Sequence, residues 1–306
     1  NVPRSSVFDR GACMKFDDVA YPLQERWVEV GSARICNVVR PATTKATRPV
    51  LLISPLGRGL MHYRLNLGGL AELGPVIAYD PPGCGKSHKV GSALDLVDLP
   101  GQVRVAVAIL EAARRAGEVP PAPALLVGTS YGALIALALT HDRPDLAAGM
   151  VLSDAAGSRP GLVGRLTTFL LSRESVLFRL GRESWRRGLE RMFADPNHPA
   201  VTANLDLAMQ LRAGPDWPDY VAALARTTRA AMAVRPDGLL ELVRDRRTRS
   251  LIVWGAHDCV TPLTWGRTLA ARLAAELEVI DRAGHFPNIE APQVFEETVL
   301  RFARNI

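Results

Sequence analysis

Leu125-Leu126-Val127-Gly128-Thr129-Ser130-Tyr131-Gly132-Ala133-Leu134-Ile135 is the stretch on which the fold turns. A short apolar run leads into a Gly-x-Ser-x-Gly, and an alanine- and leucine-rich segment carries on to His141. This order predicts a buried strand, a sharp turn bearing Ser130 and a helix over Tyr131–His141. The flanking glycines have a mechanical reason, since small residues let the strand and the helix approach closely. Such a turn presents the Ser130 hydroxyl at the edge of a sheet. A purely structural turn is the competing reading of the pentapeptide alone; the strand-turn-helix setting favours a nucleophile.

Outward from this stretch, the same strand signal recurs. Val50-Leu51-Leu52-Ile53, Val76-Ile77-Ala78-Tyr79, Met150-Val151-Leu152, Leu251-Ile252-Val253-Trp254 and Leu277-Glu278-Val279-Ile280 are short apolar runs ending in turn residues. Continuous apolar runs of this length read as strands buried on both faces. Helical periodicity lies between them, clearest from Leu99 to Ala116 with Val103, Val107, Leu110 and Ala113 on one face, then near Pro262–Leu273 and Pro292–Ala303. Alternating strands and helices predict a parallel sheet. Trp27–Val30 and Ala33–Val39 flank Gly31-Ser32 and read as an antiparallel hairpin.

From Ala155 to about Arg249 the alternation stops. The segment is helix-prone, rich in arginine and broken by Asp195-Pro196-Asn197-His198-Pro199 and Gly214-Pro215-Asp216-Trp217-Pro218. We therefore expect a core domain from residues 1–154 and 250–306, with residues 155–249 inserted as a helical cap. Ligands bind at the carboxyl ends of strands in open α/β sheets, so an insertion leaving such an end is placed to line the substrate pocket. Leu170, Leu171, Val176, Leu177 and Phe178 could line that pocket, although their spacing suits the cap's own core equally.

A serine hydroxyl becomes a useful nucleophile when a base takes its proton. Of the six histidines, His285 stands in Ala283-Gly284-His285-Phe286-Pro287, directly after the run ending at Ile280 and before the last helix. An acid must orient its imidazole. Asp258, in Trp254-Gly255-Ala256-His257-Asp258, follows a buried run and falls between Ser130 and His285, which matches the order serine, acid, histidine. Asp154, after Met150-Val151-Leu152-Ser153, is the competing acid. His257 reads as a neighbour on the Asp258 loop rather than a second base.

Together these residues resemble the α/β-hydrolase superfamily over essentially the whole core, in its capped, esterase-like branch. The resemblance implies an α/β-hydrolase fold: a mostly parallel sheet of eight strands flanked by helices, with the cap between the sixth and seventh strands. It also implies catalytic roles for Ser130, Asp258 and His285, an oxyanion hole from the amides of Tyr131 and Leu56, and no cofactor. The chain departs from many relatives after its third strand, where Ser54-Pro55-Leu56-Gly57 replaces the common His-Gly. Asp80-Pro81-Pro82-Gly83-Cys84-Gly85-Lys86-Ser87 resembles a family turn after the fourth strand. It is not a P-loop, because Asp80 stands where that motif requires glycine.

The chemistry expected is a serine hydrolase acting on an ester, thioester or related carbonyl of a small molecule through an acyl-enzyme. A lyase, acyltransferase or cyclase on the same scaffold, or a non-catalytic ligand-binding member, are the alternatives.

The bulk composition bounds the remaining classes. The formal net charge is +6, with 48% hydrophobic and 22% charged residues, the range of a globular chain. The positive excess is mostly arginine, dense between Arg159 and Arg249. No nucleic-acid signature accompanies it, so an acidic or carrier-bound small molecule is the partner class that the arginines suggest. A solvated surface with Asp and Glu interspersed explains the same charges. Cys13, Cys36, Cys84 and Cys259 are scattered without metal or disulfide spacing. No apolar run is long enough for a membrane span, and a cytoplasmic location is expected.

Overall fold

The computed structural model describes residues 23–89, 95–157, 169–170, 172–234, 240 and 248–306. Its strands are β1 (Glu25–Val30), β2 (Ala33–Arg40), β3 (Val50–Ile53), β4 (Val76–Tyr79), β5 (Ala124–Thr129), β6 (Ala147–Ser153), β7 (Ser250–Gly255) and β8 (Glu276–Ile280). They form one eight-stranded sheet in the order β1-β2-β4-β3-β5-β6-β7-β8. The hairpin β1-β2 is antiparallel and β2 pairs antiparallel with β4, while the remaining neighbours run parallel. The eight-stranded, mostly parallel sheet expected from the sequence is the one found.

The apolar runs of β3, β4, β5, β6 and β7 are buried on both faces, as their lack of alternation required; β8 departs from this, because it is an edge strand, carries Glu278 and buries only Ile280 fully. Val50 and Leu52 of β3 pack into one hydrophobic cluster and Leu51 and Ile53 into the other. The first of these clusters is completed by α1 (Leu67–Leu70) and by a helix at the end of the chain, Pro292–Ala303. The second receives α2 (Leu99–Arg115), α3 (Tyr131–Asp142) and the helix Leu263–Leu273. Helix α2 starts where Asp98 accepts a hydrogen bond from the Gly101 amide at 2.8 Å, with Pro100 in the first turn, and it ends on Arg114 and Arg115. Cap, proline and terminal cations all agree with the polarity of a helix.

Between β6 and β7 the described residues form helices α4 (Glu174–Arg179), α5 (Arg182–Glu190), α6 (Pro199–Ala213) and α7 (Trp217–Ala233), and no strand. Leu177 is buried against Val221 and Ala225, so this residue serves the segment's own core. Phe178 and Leu170 are exposed, and Leu171 lies outside the described residues. Several arginines pair locally: Arg186 with Glu190 and Asp206, and Arg187 with Glu183. After β7 come α8 (Leu263–Leu273), α9 (Pro287–Glu290) and α10 (Pro292–Ala303). No helix among the described residues is long and apolar enough to cross a membrane. Cys36, Cys84 and Cys259 are free thiols, and Cys13 lies outside the described residues.

The turn between β5 and α3 explains its own sequence. A Cβ on Gly132 would lie 2.1 Å from the Ile53 carbonyl oxygen, and one on Gly128 would lie 2.4 Å from that of Gly132. Both neighbours are backbone, so neither can swing away. Gly132→Ala is expected to cost about 3 kcal/mol, the upper end for overpacking, as a lowered urea midpoint at unchanged slope; a loss under about 1 kcal/mol would show that the turn can relax.

Candidate active site

β5 ends at Thr129 and α3 begins at Tyr131, leaving Ser130 to turn the chain with φ +55° and ψ −115°. A non-glycine residue in this region is strained, and strain of this kind persists where surrounding bonds over-determine it. Here the Ser130 amide donates to the Ser153 carbonyl at 2.8 Å, and its own carbonyl accepts from Ala133 and Ala156. The turn is thereby bonded to the end of β6. The residue retains 9% of its surface, at the carboxyl edge of the sheet.

The other two candidates come from the loops after β7 and β8. His285 Nδ1 and Asp258 Oδ2 are 2.8 Å apart, with both side chains almost fully buried. Asp258 also accepts from the Val260 and Thr261 amides at 2.7 and 3.0 Å, and from Thr261 Oγ1 at 2.5 Å. Burial pushes this carboxyl up, but the bond and charge of His285 and the bonds from Thr261 outweigh it and leave it below the ordinary carboxylate range. It is therefore an anion at neutral pH, directed at the imidazole.

The competing acid lies in the same place. Asp154, fully buried with φ +45°, accepts from the Gly255 amide at 2.9 Å and from Ser153 Oγ at 2.8 Å. Burial, reinforced by the charge of Asp258, holds its carboxyl well above the ordinary range. One buried site thus contains two carboxyl groups, of which Asp258 carries the charge and Asp154 the proton. Ligand atoms of Asp154, Asp258 and His285 lie within 4.8 Å of one another, a spacing that could hold a cation. The 2.8 Å contact and the backbone donors on each carboxyl already satisfy these groups within the protein. His257 is exposed on the same loop.

No hydrogen bond joins Ser130 Oγ to His285 among the described residues. Catalytic hydrogen bonds are frequently long before substrate binds. Tyr131, as the first residue of α3, presents an amide without an acceptor one turn earlier in its helix. The Leu56 amide likewise has no acceptor among the described residues. Gly57, one position later, takes φ +69° under Tyr220 and Leu224 of α7, and Tyr220 Oη donates to its carbonyl at 2.9 Å. A largely apolar pocket lies here, floored by Ser54, Leu56 and Tyr131 and roofed by Ala223, Leu224 and Thr227.

The loop after β4 is closed on itself. Asp80 accepts from the Leu60 and Lys86 amides at 2.8 Å each, and Ser87 Oγ donates to the Asp80 carbonyl at 2.7 Å. The Lys86 amide therefore serves an internal carboxylate, and those of Gly83, Cys84 and Ser87 serve carbonyls of the chain. Burial pushes Asp80 up to about 6 despite those two amides. Above that pH the folded protein must hold an ionised buried group, whereas below the ordinary value both states are protonated. Asp80 thus favours folding at low pH, and its contribution is lost as pH rises through about 6. The stability of the native protein minus that of Asp80→Asn is expected to fall by roughly 2–3 kcal/mol between pH 4 and 7, at about 1.4 kcal/mol per unit. Paired urea titrations measure it, and a flat or rising difference contradicts it.

Some supporting residues carry no sequence signal. The His285 amide donates to the Met192 carbonyl at 2.7 Å, so the loop after β8 is tied to the segment between β6 and β7. Glu290 accepts from the Gly284 and Ala194 amides at 2.8 and 2.7 Å, binding the same two stretches together. Phe193, Val201 and Leu205 pack on Phe286 and Ile289.

The alpha/beta hydrolase family model matches residues 50–298. An Escherichia coli 2-hydroxy-6-oxononadienedioate/2-hydroxy-6-oxononatrienedioate hydrolase is 24% identical over 254 residues, covering 81% of this chain and 83% of that protein. Among solved structures, a meta-cleavage product hydrolase of Pseudomonas fluorescens superposes with TM-score 0.72 at 22% identity, covering 92% of this chain and 97% of that one. A thermophilic esterase of Thermogutta terrifontis gives 0.71 at 21%, covering 92% and 98%. At these identities the structural likenesses concern the fold. With the family model spanning β3 to α10, the chain belongs to the alpha/beta hydrolase family.

Proposed function

We propose that this protein hydrolyses an ester, thioester or related carbonyl of a small molecule through an acyl-enzyme on Ser130. The buried 2.8 Å contact between His285 Nδ1 and Asp258 Oδ2, on the same sheet edge as the strained Ser130 turn, carries the reading. In this mechanism His285 Nε2 takes the Ser130 proton as Oγ attacks the carbonyl. Asp258 fixes the tautomer and stabilises the imidazolium. The amides of Tyr131 and Leu56 receive the developing oxyanion. His285 then returns the proton to the leaving group, and water enters by the same route in reverse. Helices α4–α7 act as the cap, with α7 over the apolar pocket. The hydrolase and esterase names of the relatives agree with this chemistry.

A fluorophosphonate probe tests the proposal. Intact mass should rise by one adduct, peptide mapping should place it on Ser130, and a short-chain p-nitrophenyl ester should compete. Absence of both labelling and ester turnover would redirect attention to elimination chemistry or ligand binding.

A further inference from the structure

Arg58 lies in the turn after β3, two residues beyond Leu56. Its Nη1 donates to Asn204 Oδ1 of α6 at 3.0 Å, while Nη2 is buried without a hydrogen-bond partner. The residue keeps part of its surface exposed, but the end of its guanidinium does not. Among the described residues no carboxylate forms an ion pair with it. Its Cζ sits 5.4 Å from the ring centroid of Phe286, the residue that follows His285. The His62 ring lies 4.9 Å from the same ring, also buried, and neither of its nitrogens has a hydrogen-bond partner.

A buried guanidinium facing one neutral acceptor and an aromatic ring is an expensive arrangement, because desolvation of a charge is repaid chiefly by a counter-ion. A purely structural link to Asn204 would be served by a neutral side chain. Burial, then the charges of Arg58 and His285, depresses His62 well below its ordinary value against a smaller opposing contribution from Asn288. The imidazole is therefore neutral, and the cluster carries a single positive charge beside the proposed base.

We infer that Arg58 is an anion subsite that takes a free carboxylate carried by the substrate, beside Phe286, the neighbour of His285 in the chain. The substrate class is thus a half-ester, half-thioester or related monoanion of a dicarboxylic acid, with its reacting carbonyl at Ser130. This rests on the hydrolase reading above. A carboxylate matches one buried guanidinium in charge and in its planar pair of oxygens, whereas a phosphate monoester dianion leaves excess buried charge. Access to Nη2 would require α6, which supplies Asn204, to part from the Arg58 turn.

The test compares p-nitrophenyl hemiesters of succinic, glutaric and adipic acids with neutral p-nitrophenyl alkanoates of matched length. The wild-type protein should favour the best hemiester by at least about tenfold in kcat/KM, a typical single charge-assisted contact. Arg58→Met should abolish that preference and Arg58→Lys restore part of it. A preference that survives Arg58→Met, or equal losses on both ester types, overturns the inference. If no ester is turned over, the hydrolase reading has failed by itself, and calorimetric titration of glutarate into Ser130→Ala decides the subsite. Glutarate binding that is lost in Ser130→Ala/Arg58→Met upholds it; no binding, or equal binding of inorganic phosphate, overturns it.

Discussion

Ser130→Ala is expected to lower kcat on any accepted ester by about 10⁶-fold, the scale on which removal of a serine nucleophile acts. The fold should survive, since the replaced hydroxyl makes no hydrogen bond among the described residues and the turn is held through the Ser130 amide and carbonyl. Alanine meets the same left-handed φ of +55° as serine does, at similar strain. Steady-state and single-turnover kinetics with a p-nitrophenyl ester would measure the loss, with thermal melting as the control for folding. A variant retaining a tenth or more of the wild-type rate would mean that water is activated directly, with no acyl-enzyme.

The second large effect separates the two acids. Asp258→Asn should cost about 10⁴-fold in kcat, because the amide fixes the wrong imidazole tautomer and supplies no charge for the imidazolium. Asp154→Asn should cost no more than about tenfold, since its carboxyl is already held neutral by burial and by Asp258, and an amide is close in size and charge to a protonated acid. The ratio of the two losses is the measurement. Equal losses would mean that the buried proton moves between the carboxyls during turnover, and the reverse order would make Asp154 the orienting acid.

Much of this was readable from the chain alone, for identifiable reasons. Runs such as Val50–Ile53 and Leu125–Val127 report double-sided burial directly, since no polar residue interrupts them. Gly128 and Gly132 report the close approach at Ser130 because a Cβ there collides with backbone. The positions of Asp258 and His285 after apolar runs placed both on the sheet's carboxyl edge, and the structure joins them. What the sequence left open was the proximity of Asp154 to Asp258, since it is set by a bond from the Gly255 amide to Asp154, 101 residues away in sequence. Arg58 and Glu290 were also illegible. Asn204 lies in α6, whose apolar periodicity is weak, and Ala194 in a stretch between helices, where no periodicity marks it. The arginine-rich composition of that segment drew attention to residues such as Arg186 and Arg187, which pair locally. Arg58, in contrast, stands after β3 with Nη2 buried and without a hydrogen-bond partner.

The bond from the His285 amide to the Met192 carbonyl ties the loop that carries His285 to the segment between β6 and β7, so that the two would move together. Movement of residues 192–194 away from the sheet breaks that bond, withdraws the Ala194 amide from Glu290 and uncovers Phe286. On the proposed mechanism, a ligand admitted by that route would loosen the proton acceptor, and closure would reset it. His285 would then be held in place only while residues 192–194 stay packed on the sheet, so proton transfer and closure would go together.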